Sequence, residues 1–235
     1  MLIAMASPDL WIIAGPNGAG KTTLVSRGRE SFGIPAHGYI NPDAITLEYL
    51  KEHNIQSWRE APPALLKETF IRAAKDAQIL LEKRIESGEI AIIETVLSTE
   101  KYQPLVKRVH KLGGRFRLIY VALDSPDKSR ERVRIRVGKG GHDVPDDKLV
   151  SRWTKSLELL PWFAWHADEF WIIDNSPPEK VSQGHLLVSG SDRCLHVHGL
   201  PAGNIRPVVA EFLARFCDLN TNGEWRLDFG DTFAL

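Results

Sequence analysis

Cysteine is scarce in this chain. Cys194 and Cys217 are the only two in 235 residues, too few for a disulfide framework. No apolar run reaches the roughly 20 residues that span a bilayer. Charge of either sign is not in excess: 30 Lys plus Arg balance 30 Asp plus Glu. Bulk electrostatics therefore gives no reason to expect general binding to nucleic acid or to a membrane. The opening MLIAMASPDLWIIA has no basic n-region, and its apolar part runs directly into a glycine motif. It reads as a first strand and not as a secretion signal. With nothing else pointing to export, the expected compartment is the cytosol. Two further absences narrow the function. No LSGGQ-like segment follows a long helical insert, which argues against an ABC-type ATPase. No N-K-x-D segment is present to read guanine, which argues against a GTPase.

What is present suits one large soluble domain. Hydrophobic residues make up 43% and charged residues 26%, as in ordinary globular proteins, and a chain this long buries a sizeable core without staples. Apolar strand candidates alternate with amphipathic stretches. Strands are expected at Leu10 to Ala14, Tyr39-Ile40, Ile90 to Ile93, Phe116 to Leu123 and Phe170 to Ile173. Helices are expected from Lys21, from Pro63 up to Gly88, over Glu100 to Leu112, from Pro126 to Val137, and from Asp146 to Leu160. This alternation predicts an α/β fold with a parallel five-stranded sheet sandwiched by helices. Beyond Ser176 the pattern changes: Leu186-Val188 and Cys194-Val197 suggest a hairpin, Val208 to Cys217 a closing helix, and the tail after Leu219 gives little signal. The expected organisation is a single domain over 1–235. Its core spans about 9–175, with a small helical lid at about 128–152 and a C-terminal appendage at about 176–235.

Residues Gly15-Pro16-Asn17-Gly18-Ala19-Gly20-Lys21-Thr22 match G-x-x-x-x-G-K-[ST] at every required position, between a strand and a helix, with Thr23 following. Glycines let backbone N–H groups turn inward around a phosphate chain, and the helix N-terminus adds partial positive charge. Lys21 should reach the β- and γ-phosphates and the Thr22 hydroxyl should ligate Mg²⁺. This is the signature of a P-loop NTPase fold. ATP and Mg²⁺ are the expected cofactors.

The motif does not say what becomes of the phosphate. Acids past two strand ends, together with arginines around a glycine break, suit transfer to a bound acceptor. Asp43, just past the second strand, stands where an acceptor hydroxyl's proton could be taken; alternatively it caps the helix that begins at Ala44. Glu94, with Thr95 beside it, ends the third strand, where it would orient Mg²⁺ through water or hold the acceptor. Asp124 ends the fourth strand less persuasively. Arg132, Arg134 and Arg136 lie on one helix before Gly138, Gly140 and Gly141, a glycine break that would let the segment close as a lid. An arginine here would neutralise the transferring phosphoryl group, and Arg152 would enter from the next helix.

The ordered set AGPNGAGKTT, NPDAIT, IIETVLST and RVRIRVGKGGHDVP, followed by an arginine, resembles the zeta toxin family of P-loop kinases, over roughly residues 9 to 175. The resemblance is closest to its shorter, stand-alone members with GGHDVP in the lid. It implies an ATP- and Mg²⁺-dependent phosphotransferase acting on a sugar nucleotide, UDP-N-acetylglucosamine, often as the toxin of a toxin–antitoxin pair. It implies Lys21 and Thr22 as nucleotide residues, Asp43 as general base, and Glu94 and Thr95 as the acceptor-binding strand end. Arg136 and Arg152 would be the phosphate-gripping arginines, with Arg132 and Arg134 as alternatives to Arg136. The expected partners are a small-molecule acceptor and an antitoxin protein, with no membrane and no strong nucleic-acid signal. Two other functions stay open: a kinase of another small molecule or of a nucleic-acid end, and a nucleotide-dependent switch or assembly ATPase that binds a protein. His196 and His198 share a strand face, but two imidazoles do not make a zinc site.

Overall fold

The computed structural model describes residues 6–177, 184–199 and 205–229. Residues 1–5 of the expected first strand and 230–235 of the tail lie outside the described residues. The chain runs β1 (Asp9–Ala14), α1 (Lys21–Gly28), β2 (Tyr39–Ile40), α2 (Pro42–Glu52), α3 (Pro63–Glu86), β3 (Ile90–Thr95) and α4 (Gln103–Lys111). It continues β4 (Arg115–Ala122), α5 (Pro126–Gly138), α6 (Asp146–His166), β5 (Glu169–Asp174), β6 (His185–Ser191), β7 (Cys194–Val197), α7 (Arg206–Leu219) and β8 (Arg226–Asp228).

The sheet order is β2-β3-β1-β4-β5-β6-β7-β8. The five expected strands pair in parallel, and their near-continuous apolar runs follow from burial on both faces. The register fixes the site: Ala14 stands beside both Thr95 and Tyr120, and Ile40 beside Ile93. The carboxyl ends of β1 and β3 are therefore level, and β2 ends just short of them opposite Ile93, so the segments leaving them meet on one edge of the molecule.

The expectation of five strands and an appendage needs correcting. β6 joins β5 antiparallel, β7 joins β6, and β8 pairs with β7, giving eight strands in one sheet. The C-terminal segment also shares the main core. Leu187, Leu195, Val209, Phe212 and Phe216 are buried in the same cluster as Leu10, Phe116 and Phe170. Short strands after a polar turn carry a weak local signal, and their apolar residues make sense only against α6 and β5. α6 runs to His166, through buried Pro161; proline removes one backbone donor, and the buried face of Leu160, Phe163 and Ala164 holds the helix past it.

Phe216 shows how firmly the extension is joined. It is fully buried, and its ring packs 5.5 Å from Trp165, 6.0 Å from Phe170 and 5.4 Å from Trp225, centroid to centroid. Phe216→Ala should lower unfolding free energy by about 3–5 kcal/mol. A single shifted urea transition would show that the extension unfolds with the core; an early separate transition would show an independent appendage.

Candidate active site

The phosphate loop leaves β1 and opens α1. Gly15, Gly18 and Gly20 have φ of 139°, 74° and 90°, a region that L side chains rarely adopt. Three neighbours hold the loop from outside. Ser129 Oγ on α5 donates to the Asn17 carbonyl at 2.6 Å, and Asn175 Nδ2, just past β5, donates to the Ala19 carbonyl at 2.7 Å. Arg132 packs its Cβ over Gly18, where an added Cβ would lie 3.0 Å away. Pro16 and Ala19 are buried in the loop, and the Asn17 Oδ1 is buried without a hydrogen bond.

Lys21 is 7% exposed, and its Nζ donates to the carbonyls of Gly15 at 2.9 Å and Pro16 at 3.1 Å. Burial lowers its pKa, against the raising influence of Glu94 and Asp43, and Arg136 lowers it further. The ammonium thus lies folded onto the loop that a phosphate chain would enter. Thr22 Oγ1 lies 3.0 Å from both Glu94 carboxylate oxygens. Thr23 is exposed on α1. Glu94 also accepts from the Tyr39 hydroxyl, which in turn accepts from Asn41 Nδ2 at 3.4 Å. Burial, with Glu94 next, pushes the Tyr39 phenol well above its ordinary pKa.

Asn41, and not Asp43, caps α2. Its Oδ1 accepts from Asp43 N at 2.9 Å and Ala44 N at 3.4 Å, and the helix begins at Pro42. The capping role considered for Asp43 is therefore filled by its neighbour. The Asp43 side chain is half exposed and its Oδ2 lies 3.8 Å from His142 Nε2. Thr95 Oγ1 accepts from Leu97 N at 3.2 Å, closing the turn after β3. Asp124 does not join this group: its carboxylate accepts from Ser125 Oγ at 2.9 Å in the turn before α5.

The structure separates the three arginines of α5. Arg132 Nη2 reaches the carbonyls of Ser176 and Pro177 at 3.4 and 3.3 Å. Arg134 is 75% exposed and points to Asp146 at 3.9 Å. Arg136 turns inward: its Nη2 donates to the His142 carbonyl at 2.9 Å and stands 3.1 Å from His142 Nε2. Burial lowers the Arg136 pKa against the opposing pull of Asp43, Asp143 and Glu94, so the guanidinium faces the acids of the site. Arg152, half-buried on α6, acts electrostatically on His142.

Lys21, Thr22, Asp43, Glu94, Arg136 and Arg152 thus converge, and Thr23, Arg134 and Asp124 do not. Tyr39, Asn175 and Ser129 carried no local sequence signal, because each reaches the site across strands or from a distant helix. His196 instead pairs with Asp228 at 3.2 Å and His198 with Ser189 at 2.7 Å. No group of three or more His, Cys, Asp or Glu among the described residues is arranged to hold a metal. No helix among them is long and apolar enough to cross a membrane.

A parallel sheet with a glycine-cradled lysine at its carboxyl edge, facing acids and arginines, defines the P-loop kinase class. The Zeta toxin family model matches residues 3–160, and the chain belongs to that family. No curated protein matches it in sequence. Among solved structures, a chain of the PezAT chromosomal toxin–antitoxin system of Streptococcus pneumoniae is similar with a TM-score of 0.55 at 16% identity, over 92% of this chain and 88% of that one. A chain of the native AvrRxo1-ORF1:-ORF2 complex gives 0.61 at 13% identity, over 88% of this chain and 64% of that one. The same complex with ATP gives 0.59 at 13%, over 79% and 59%. This chain therefore spans less than two thirds of the AvrRxo1 chains, and at these identities the likeness is one of fold.

Proposed function

We propose that this protein transfers the γ-phosphate of ATP to a hydroxyl of a small acceptor, with UDP-N-acetylglucosamine as the first acceptor to test. The observation that supports it best is Asp43. Its helix is capped by another residue, and its carboxylate, at the carboxyl edge of the sheet, acts electrostatically on both Lys21 and Arg136.

In this reading Lys21 leaves the Gly15 and Pro16 carbonyls to hold the β- and γ-phosphates, while Gly15 to Gly20 wrap them. The donor set suits Mg²⁺: a hydroxyl on Thr22 and a carboxylate on Glu94, both hard oxygen ligands that already face each other. Thr22 would ligate the ion, with Glu94 holding its water shell or the acceptor. When bound, the ion supplies charge neutralisation between the phosphates. Asp43 orients the acceptor hydroxyl and takes its proton as the oxygen bonds to the γ-phosphorus and the bond to the β-bridging oxygen breaks, releasing ADP. Arg136 and Arg152 neutralise the charge that develops on the transferring group. Glu94 and Thr95 form the strand end nearest the acceptor.

An antitoxin would be a separate chain. The similar PezAT chain comes from a toxin–antitoxin system and the AvrRxo1 chains from a two-protein complex, which supports testing for a protein partner here. The deciding experiment is mass spectrometry of UDP-N-acetylglucosamine after incubation with the protein, ATP and Mg²⁺. A gain of one phosphate establishes the reaction. ATP consumed with the sugar nucleotide unchanged rejects this acceptor. No change in either moves a nucleotide-dependent switch ahead.

A further inference from the structure

His142 lies in the glycine break yet is well covered, with its side chain 12% exposed. Four elements meet on it. Trp58 and Phe70 pack against its ring at centroid distances of 4.9 and 5.4 Å and stack on each other at 5.2 Å. Asp43 on α2 faces Nε2 at 3.8 Å. Arg136 on α5 donates to its carbonyl and meets the same Nε2. The close approach of Arg136 is built into the backbone: a Cβ on Gly141 would lie 2.5 Å from Arg136 Cγ. The preceding Gly140 has φ of 95°. Arg59 Nη2 ties the end of α5 by donating to the carbonyls of Val137 and, at 3.0 Å, Gly138.

The geometry dictates a tautomer. A guanidinium has donors only, so Nε2 must present its lone pair to Arg136, and the ring proton sits on Nδ1. Protonating Nε2 removes the acceptor and places a second cation beside Arg136. It also places an N–H⁺ opposite the Asp43 carboxylate. The Arg136 contact and the Asp43 ion pair are therefore mutually exclusive states of one imidazole.

We propose that His142 is a positioning residue that couples Asp43 to Arg136: neutral, it orients Arg136 in the lid and leaves Asp43 to the acceptor; protonated, it releases Arg136 and engages Asp43. The charged groups that act on it from the packed elements are Asp43, Arg136, Arg152 on α6 and the adjacent Asp143. Burial lowers its pKa, Asp43 opposes this, Arg136 and Arg152 reinforce it, and Asp143 opposes. The site thus favours the neutral, working form near pH 7 and loses it on acidification.

This inference rests on the proposed phosphoryl transfer, so one arm of its test does not need activity. Imidazole NMR titration of the full chain, with the signal assigned through His142→Asn, should show the His142 pKa falling in Asp43→Asn and rising in Arg136→Met. An unchanged titration in both variants overturns the coupling. The second arm measures kcat/KM with ATP, Mg²⁺ and UDP-N-acetylglucosamine against pH. Wild type should lose about tenfold per pH unit below the imidazole pKa, and His142→Gln, whose amide oxygen can take the Nε2 position and still accept from Arg136, should be flat through that pH. The same fall in both also overturns it. Should no variant phosphorylate the sugar nucleotide at any pH, the acceptor assignment fails while the NMR arm still decides the coupling.

Discussion

Asp43→Asn is expected to reduce phosphoryl transfer by about 10²–10⁴-fold, the usual contribution of a positioned general base, with ATP still bound. The side chains have the same shape, and the structure shows why the fold tolerates the change: Asn41 supplies the cap of α2, so position 43 owes nothing to helix initiation beyond a carboxylate in the first turn. That carboxylate also favours the ammonium of Lys21. Lys21 keeps its place through the Gly15 and Pro16 carbonyls, so nucleotide binding should survive. Rapid-quench measurement of transfer alongside calorimetric ATP titration separates the two effects. Unchanged transfer would remove Asp43 from the mechanism. Loss of ATP binding together with transfer would instead mark it as part of the nucleotide site.

The sequence carried the fold where local pattern and burial agree. The central strands are buried on both faces and read as plain apolar runs such as LWIIA and IAII, and the helix ends at Gly88 and Ser125 have the residues that helix termini require. Ser125 caps α5 by accepting from Lys128 N at 3.3 Å. The added strands were visible only as fragments, because β7 and β8 are short, β6 and β7 carry Gly or His, and all gain their stability from α6, α7 and the edge of β5. At the site the phosphate loop was fully legible, since every step of its geometry follows from glycines at fixed spacing. Its braces were not. Asn175 and Ser129 act over sequence separations of 156 and 112 residues, and nothing local marks either. Tyr39 is similar: only the pairing of β2 with β3 brings its hydroxyl to Glu94. The sequence also left open whether Asp43 caps α2, and in the structure Asn41 takes that position.

The arginine helix is where geometry adds most to sequence. Three arginines at alternate positions are indistinguishable by composition, yet a helix turns Arg134 away from Arg132 and Arg136, which lie one turn apart on a shared face. Arg134 faces water and Asp146, and Arg132 faces the chain after β5. Arg136 is held by His142 and counts Asp43 and Glu94 among its electrostatic neighbours. Its Nε is buried without a hydrogen-bond partner, an arrangement that costs free energy and that a phosphate oxygen would relieve. Arg136→Gln should therefore cost about 10³–10⁵-fold in turnover, the range of a transition-state arginine. Arg136→Lys should recover little of it, because an ammonium cannot reproduce the planar two-pronged donor. Arg134→Gln should leave turnover unchanged and shift stability by no more than about 0.5 kcal/mol. Arg132→Gln should act differently from both: it loosens the junction between α5, the phosphate loop and the end of β5, and so should raise the KM for ATP more than it lowers kcat. Steady-state kinetics on the four variants distinguishes these outcomes. A loss of turnover in Arg134→Gln equal to that in Arg136→Gln would mean that the helix rotates or rebuilds on binding nucleotide, and the assignment of the lid arginine would pass from Arg136.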